Sequence, residues 1–210
     1  MKKIICLLPI CLLISGCLDV KFDKQSHEPG LFNGSSQIYG ERSYGSYTVE
    51  SFDKADMSTY EVRCKTDPST LDLASAEEIK NYLIDEENFI TNISSFNSLA
   101  KNRNGLRIGD AKVDILGSLK FETSQNVKAI EVFAYPFSIY HDTLETSEFV
   151  VDQDVRVQVN SLGYITLDST ATEETVSLQN CAFKLSEPTN NILIEVGPNR
   201  AVIQKIIFYY

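Results

Sequence analysis

The chain has no tryptophan and only two histidines, His27 and His141, in 210 residues. The absence of tryptophan, which offers the largest stacking face, counts against a sugar-binding reading, and the other shortages each remove a class of function. In the body of the chain only Cys64, Cys181 and His141 could ligate zinc, and they lack metal-ligand spacing, so a zinc site of the usual four-ligand kind is not expected. No G-x-S-x-G elbow and no phosphate-binding G-x-x-x-x-G-K-[ST] loop occurs. Basic residues are scarce, 19 Lys and Arg against 29 Asp and Glu, for a net charge of −10. Nucleic acid is therefore not an expected partner, since phosphate binding needs clustered cations. An acidic surface of this kind serves solubility. Alternating strand and helix patterns are also missing, which argues against a Rossmann-like or TIM-barrel fold.

What is present starts at the N-terminus. Met1-Lys2-Lys3 precedes an apolar run from Ile4 to Ile14, shorter than the ~20 residues a membrane span needs. A basic start, a short apolar core and small residues before a cut mark a secretory signal. Ile14-Ser15-Gly16-Cys17 resembles a bacterial lipobox. The resemblance implies removal of residues 1–16 and lipidation of Cys17, with two or three acyl chains giving stable anchoring. The expected address is extracytoplasmic and membrane-anchored. Leu18 after the cysteine resembles an outer-membrane sorting pattern in a two-membrane cell; in a one-membrane cell the address is the outer face of the plasma membrane. Loss of the signal leaves 17 basic against 29 acidic residues, a net charge of −12. Residues 17–45 carry Gly30, Gly34, Gly40, Gly45 and Pro29 with several serines and no period, and read as a lipidated flexible tether. His27 lies within it.

Residues 46–210 suffice for one core and one domain. Tyr60, Val62 and Cys64 alternate with Glu61 and Arg63, the period of a half-buried strand, with Tyr47 to Phe52 as its expected partner. One short helix is expected at about 75–87: Ser75 and Glu78 match a capping box, and Ile79, Tyr82 and Leu83 form its apolar stripe. Residues 92–98 and 101–105 read as loops. From Leu106 onward strands dominate. Leu119 and Phe121 alternate with polar neighbours, and Val155, Val157 and Val159 alternate with Arg156, Gln158 and Asn160. Many short strands with turns between them predict a mainly β fold, an antiparallel β-sandwich or jelly roll.

The last stretch, Asn191 to Tyr210, reads as strand, tight turn at Gly197-Pro198-Asn199, and a central strand apolar at nearly every position. Ala201 and Ile203 fall on one face, and Ile206, Phe208 and Tyr210 on the other. A β-bulge at Gln204-Lys205 would turn both sets toward one core. Gly105-Leu106-Arg107-Ile108-Gly109, Leu119-Lys120-Phe121, the Val127 to Tyr135 strand, Val157 to Asn160 and Asn199 to Tyr210 together resemble a β-sandwich domain of exported proteins from low-GC bacteria. That family ends roughly in Arg-Val-x-Ile-Lys-x-Ile-x-Phe-x-Tyr; Ala201 and Gln204 stand here where Val and Lys are usual. The resemblance spans about half the chain. It implies a sandwich of the carbohydrate-binding-module kind and carries no catalytic residue.

Four groups of side chains are candidates for chemistry. Cys6 and Cys11 leave with the signal, so Cys64 and Cys181 form either one disulfide in an oxidising compartment or two separate buried thiols. Tyr140-His141-Asp142 holds the domain's only histidine, without a nucleophile selected beside it. Asp152-Gln153-Asp154 and the group Asp142, Glu145 and Glu148 offer calcium-type oxygens, but lack EF-hand spacing and read as solvated acidic loops. No metal and no other cofactor is expected. Tyr135, Phe137, Tyr140 and His141, around Pro136, form a candidate ligand platform for sugar rings on a loop; the alternative is that Tyr135 and Phe137 close the end of the sandwich. The functional expectation is a non-enzymatic, lipid-anchored binding or adhesion module for a glycan or surface polymer. The alternative is a structural or protein-interaction lipoprotein serving an envelope complex, with an unrecognised hydrolase third.

Overall fold

The computed structural model describes residues 57–111, 116–142, 147–172 and 175–210, with the backbone alone at 140–142, 147, 172 and 175. The signal, Cys17, the tether and the Tyr47 to Phe52 segment lie outside the described residues. The elements in chain order are β1 (Thr59–Cys64), α1 (Ala76–Tyr82), β2 (Leu83–Ile84), β3 (Ile90–Asn97), β4 (Leu99–Asn102), β5 (Gly105–Ile108), β6 (Gly117–Pro136), β7 (Ser138–Asp142), β8 (Ser147–Val151), β9 (Arg156–Val159), β10 (Tyr164–Thr166), β11 (Ala171–Thr172), β12 (Thr175–Val176), β13 (Gln179–Gly197) and β14 (Ala201–Tyr209). The fold is mainly β, antiparallel and sandwich-like, as the alternation predicts.

Two long strands build both layers. Residues 117–123 of β6 pair with β3 on one side and with 191–196 of β13 on the other; β13 then pairs with β9, and β9 with β10. Residues 127–136 of β6 pair with 179–184 of β13 and with β14, whose far side takes β5 and then β1. Between the halves, Ser124, Gln125 and Asn126 are exposed and the β6–β13 register shifts between Lys184 and Thr189. Bulges of this kind bend a ladder. The inner faces meet: the Phe121 ring of the first layer lies edge-on to Phe208 of the second, centroids 5.9 Å apart. One main core cluster spans both layers, from Leu119 and Val157 to Val62 and Ile206.

β14 is central, and its bulge sits where expected. The β14–β6 register shifts between Ile203 and Lys205. Ala201, Ile203, Ile206 and Phe208 are consequently all buried in the same core, while Val202 and Tyr209 face the other side. Close packing against the turn before β14 also explains Gly109, which has φ +102°: a Cβ there would collide with the Asn199 carbonyl oxygen.

α1 is shorter than expected. Ser75 caps it, its Oγ accepting from Glu78 N–H at 3.1 Å, while Glu78 Oε2 accepts from Ala74 N–H at 2.7 Å. It ends at Tyr82 because Leu83 turns extended into β2, pairing with β1. The loops expected at 92–98 and 101–105 are largely strand instead. β3 is an outer strand with two register shifts against β6, so its apolar Ile93 and Phe96 do not alternate regularly. That irregularity is what hid it.

Candidate functional site

The aromatic cluster around Pro136 is used by the fold. Pro136 pairs with Ala201, the first residue of β14, and one more backbone bond follows, from Phe137 N–H to the Arg200 carbonyl at 2.9 Å. The segment that follows is not a loop: β7 and β8 pair as a separate ribbon. Tyr135 is 8% exposed and Phe137 4%, packed together with Val202 and against Val176. Burial pushes the Tyr135 hydroxyl pKa above its usual value. Two guanidinium groups lie over the Phe137 ring, Arg200 at 4.2 Å and Arg107 at 5.7 Å from its centroid. Neither ring has an open face for a sugar, and both close the end of the sandwich. Tyr140 and His141 sit on β7 opposite Phe149 and Glu148; their side chains lie outside the described residues.

Arg200 is fixed by Asp152. Its Nε and Nη2 donate to the two carboxylate oxygens at 2.8 and 2.9 Å, and its backbone N–H donates to Oδ2 at 3.0 Å. The acidic run at 152–154 is thus partly structural rather than a solvated loop. Among the described residues no group of three or more His, Cys, Asp or Glu converges as metal ligands. Glu131, 4% exposed, accepts from Tyr209 Oη at 3.0 Å and Asn180 Nδ2 at 3.1 Å.

Cys64 and Cys181 are free and buried. Val62, Ile206, Val132 and Cys181 lie in register across β1, β14, β6 and β13, so three strand spacings, about 14 Å, separate the two thiols' strands. A disulfide tolerates only about 7 Å between Cα atoms. Of the two readings, separate buried thiols is the one the sheet order imposes. Burial pushes both thiol pKa values up to about 12, which suppresses thiolate reactivity. Alkylation of Cys64 and Cys181 is therefore expected only after unfolding, with no change in melting temperature on adding dithiothreitol. A reductant-sensitive melt would point to a bridge.

A hollow of about 350 Å³ beside α1 contains Lys65, Asp67, Glu78 and Lys101, but its charges serve the fold. Lys101 pairs with Asp67 at 3.2 Å, Lys65 donates to the Asn81 carbonyl, and Glu78 closes the capping box.

The outer face of the first layer differs. Along β9, Val157 and Val159 point into the core, so Arg156 and Gln158 point out. Tyr164 lies opposite Gln158 and flanks Ile165, which is buried. On the other side of β9, Glu195 lies opposite Gln158 and Gly197 opposite Arg156. The Arg156 guanidinium stacks on the Tyr164 ring at 4.5 Å, a cation–π pair that orders both side chains. Leu116, 52% exposed, lies on Gly197; a Cβ there would collide with its Cδ2. Together with Pro198 these residues form an open groove of about 280 Å³. Among the described residues, no hydrogen bond or ion pair occupies the side chains of Gln158 or Glu195, and Arg156 Nε is buried without a partner. An aromatic ring and a leucine offer apolar contact; an amide, a carboxylate and a guanidinium offer donors and acceptors. Such a set suits a ligand rich in hydroxyl groups. No nucleophile with an adjacent base stands in it.

Sequence reasoning missed this groove. Arg156 and Gln158 are the outward half of the cleanest alternation in the chain, and that polar half was the available signal. The partnership with Tyr164 and Glu195 depends on strand order, which alternation does not reveal.

No protein-family model and no curated protein matches the chain. Among solved structures it is similar to the catalytic unit of a thermostable GH87 alpha-1,3-glucanase from Streptomyces thermodiastaticus strain HF3-3, at 11% identity and a TM-score of 0.30. The match covers 74% of this chain and 24% of that one, so the chain spans about a quarter of the glucanase unit. A likeness this distant carries no argument about activity. Among the described residues no helix is long and apolar enough to cross a membrane.

Proposed function

We propose that the chain is a lipid-anchored, extracytoplasmic binding module without enzymatic activity, and that its ligand is a glycan or other hydroxyl-rich surface polymer. The observation that carries this reading is the groove on the outer sheet face, where the Arg156–Tyr164 pair stands beside Gln158 and Glu195. The side chains offer recognition groups on a rigid sheet rather than on a mobile loop. Supporting the address, Ile14-Ser15-Gly16-Cys17 follows a basic, apolar leader.

Two experiments test the two halves. Titration of a soluble glycan panel should give weak binding, millimolar to micromolar. Tyr164→Ala or Arg156→Ala should each weaken it roughly five- to tenfold, the loss of one stacked contact. Binding unchanged in both variants would move the site elsewhere, and no binding to any glycan would put the protein-interaction reading ahead. For the anchor, Cys17→Ala should shift the protein out of the detergent phase and abolish acyl labelling. A variant that still labels and partitions like the wild type removes the lipobox reading.

A further inference from the structure

The groove is one end of a longer feature. The strand register places five side chains in one line across the first layer. Tyr164 of β10 lies opposite Gln158 of β9, Gln158 opposite Glu195 of β13, Glu195 opposite Ser118 of β6, and Ser118 opposite Asn97 of β3. Tyr164, Gln158, Glu195 and Ser118 flank buried inward residues, Asn97 flanks the partly buried Phe96, and each of the five is itself half-buried or exposed. The line crosses the layer from β10 to β3, its two outer strands in the pairing order. Four strand spacings make it about 19 Å long. Along it the chemistry runs ring, amide, carboxylate, hydroxyl, amide, with Lys120 and Leu193 in the adjacent row. Every polar member can exchange hydrogen bonds with hydroxyl groups. Asn97 is anchored through Nδ2 to the Leu116 carbonyl at 2.8 Å, which holds its amide at the edge.

We infer that this line binds an internal run of a single polymer chain, laid across the strands with about four sugar rings in contact. The inference rests on the binding-module reading above. A line running from outer strand to outer strand matches a chain that continues past both edges rather than a chain end. Adjacent strands rotate by roughly 20–25°, so the line turns by about 80–100° over its length. A flexible, soluble chain can follow that turn. The flat face of a crystalline polymer cannot, and only two or three members of the line could touch it at once.

The test uses the full chain carrying Cys17→Ala, with laminarin, xylan, soluble starch and glycol chitin in affinity gels, and microcrystalline cellulose and chitin in pull-down. Oligomers of one to six units of the retarding polymer are then titrated. Affinity is expected to rise about tenfold or more from dimer to tetramer and then level off. Asn97→Ala and Ser118→Lys should weaken tetramer binding at least threefold and leave dimer binding unchanged, with unaltered melting temperatures. Tyr164→Ala should weaken both. A dimer that binds as tightly as the tetramer, or Asn97 and Ser118 variants that bind like the wild type, overturns the extended line while the groove stands. Tighter binding to the crystalline polymers than to the soluble ones also overturns it. Absence of binding to every polymer overturns the line and the binding-module reading together.

Discussion

Phe208→Ala is expected to lower the stability of the chain by about 3–5 kcal/mol, as large aromatic truncations in a rigid core do. For a chain of this size the melting temperature should fall by roughly 10 °C. Phe208 is fully buried at the meeting point of the layers. Its ring is 5.1 Å from Phe89 and 5.9 Å from Phe121, centroid to centroid, and Phe89 in turn stacks on Tyr60 at 4.7 Å. Removing it opens a cavity that touches β1, β6 and the segment before β3 at once. Lys205→Ala, three residues away, should cost about 1 kcal/mol or less. Lys205 Nζ pairs with Glu61 at 3.0 Å and lies 4.5 Å from the Phe133 ring, but the pair is about a third exposed on the outer face. The contrast depends on the bulge between Ile203 and Lys205, which turns Ile206 and Phe208 inward and Lys205 outward. Thermal melts of the two variants check it, and similar shifts would sink the bulge as the explanation.

That bulge was legible in sequence because it is a local contradiction. Two apolar sets on opposite faces of one strand cannot both reach one core without an extra residue, and the only polar pair lay between them. The Ser75 cap was legible for a similar reason, as donor and acceptor sit three residues apart. Features that depend on long-range pairing were not. Cys64 and Cys181 each looked like strand residues in an exporting cell, and only the sheet order shows three strand spacings between them. β3 escaped because its register slips twice, leaving no clean period of two. The aromatic cluster at 135–141 was visible as composition, whereas its burial follows from Arg107 and Arg200 arriving from β5 and the β13–β14 turn. The groove was half legible. Arg156 and Gln158 could be assigned to an outward face, but nothing local announces that Tyr164 and Glu195 are their neighbours.

Asp152 links the clamp at the sandwich end to the groove, and Asp152→Ala is expected to damage both. Its carboxylate is 11% exposed and receives three hydrogen bonds from Arg200, whose side chain is 21% exposed. Arg107 also lies over Phe137, and burial first, then the Arg200 charge, pulls its pKa below the usual value. Without Asp152, two guanidinium groups lie over one ring with less compensating charge, and the Arg200 backbone N–H loses its acceptor. Breaking a largely buried pair from one side in this way costs about 3–5 kcal/mol. Arg200→Met alone should cost a similar amount, since it strips the Asp152 carboxylate of both guanidinium donors. The double variant should recover part of the loss, with a coupling of about 2 kcal/mol in a urea-denaturation cycle. Additivity within about 0.5 kcal/mol would show that the pair does not act as a unit. The functional consequence follows from the turn that Arg200 anchors. Gly197 and Pro198 of that turn line the groove, and Asn199 Nδ2 donates to the Gln153 carbonyl at 2.8 Å beside Asp152. Loosening the clamp should therefore raise amide exchange at Asn199 to Val202 and, on the proposed binding reading, weaken glycan binding severalfold at a temperature where the variant is still folded. The substitution leaves Arg156 and Tyr164 themselves unaltered. Glycan affinity equal to the wild type, with the exchange increase present, would mean that the turn does not position the groove wall.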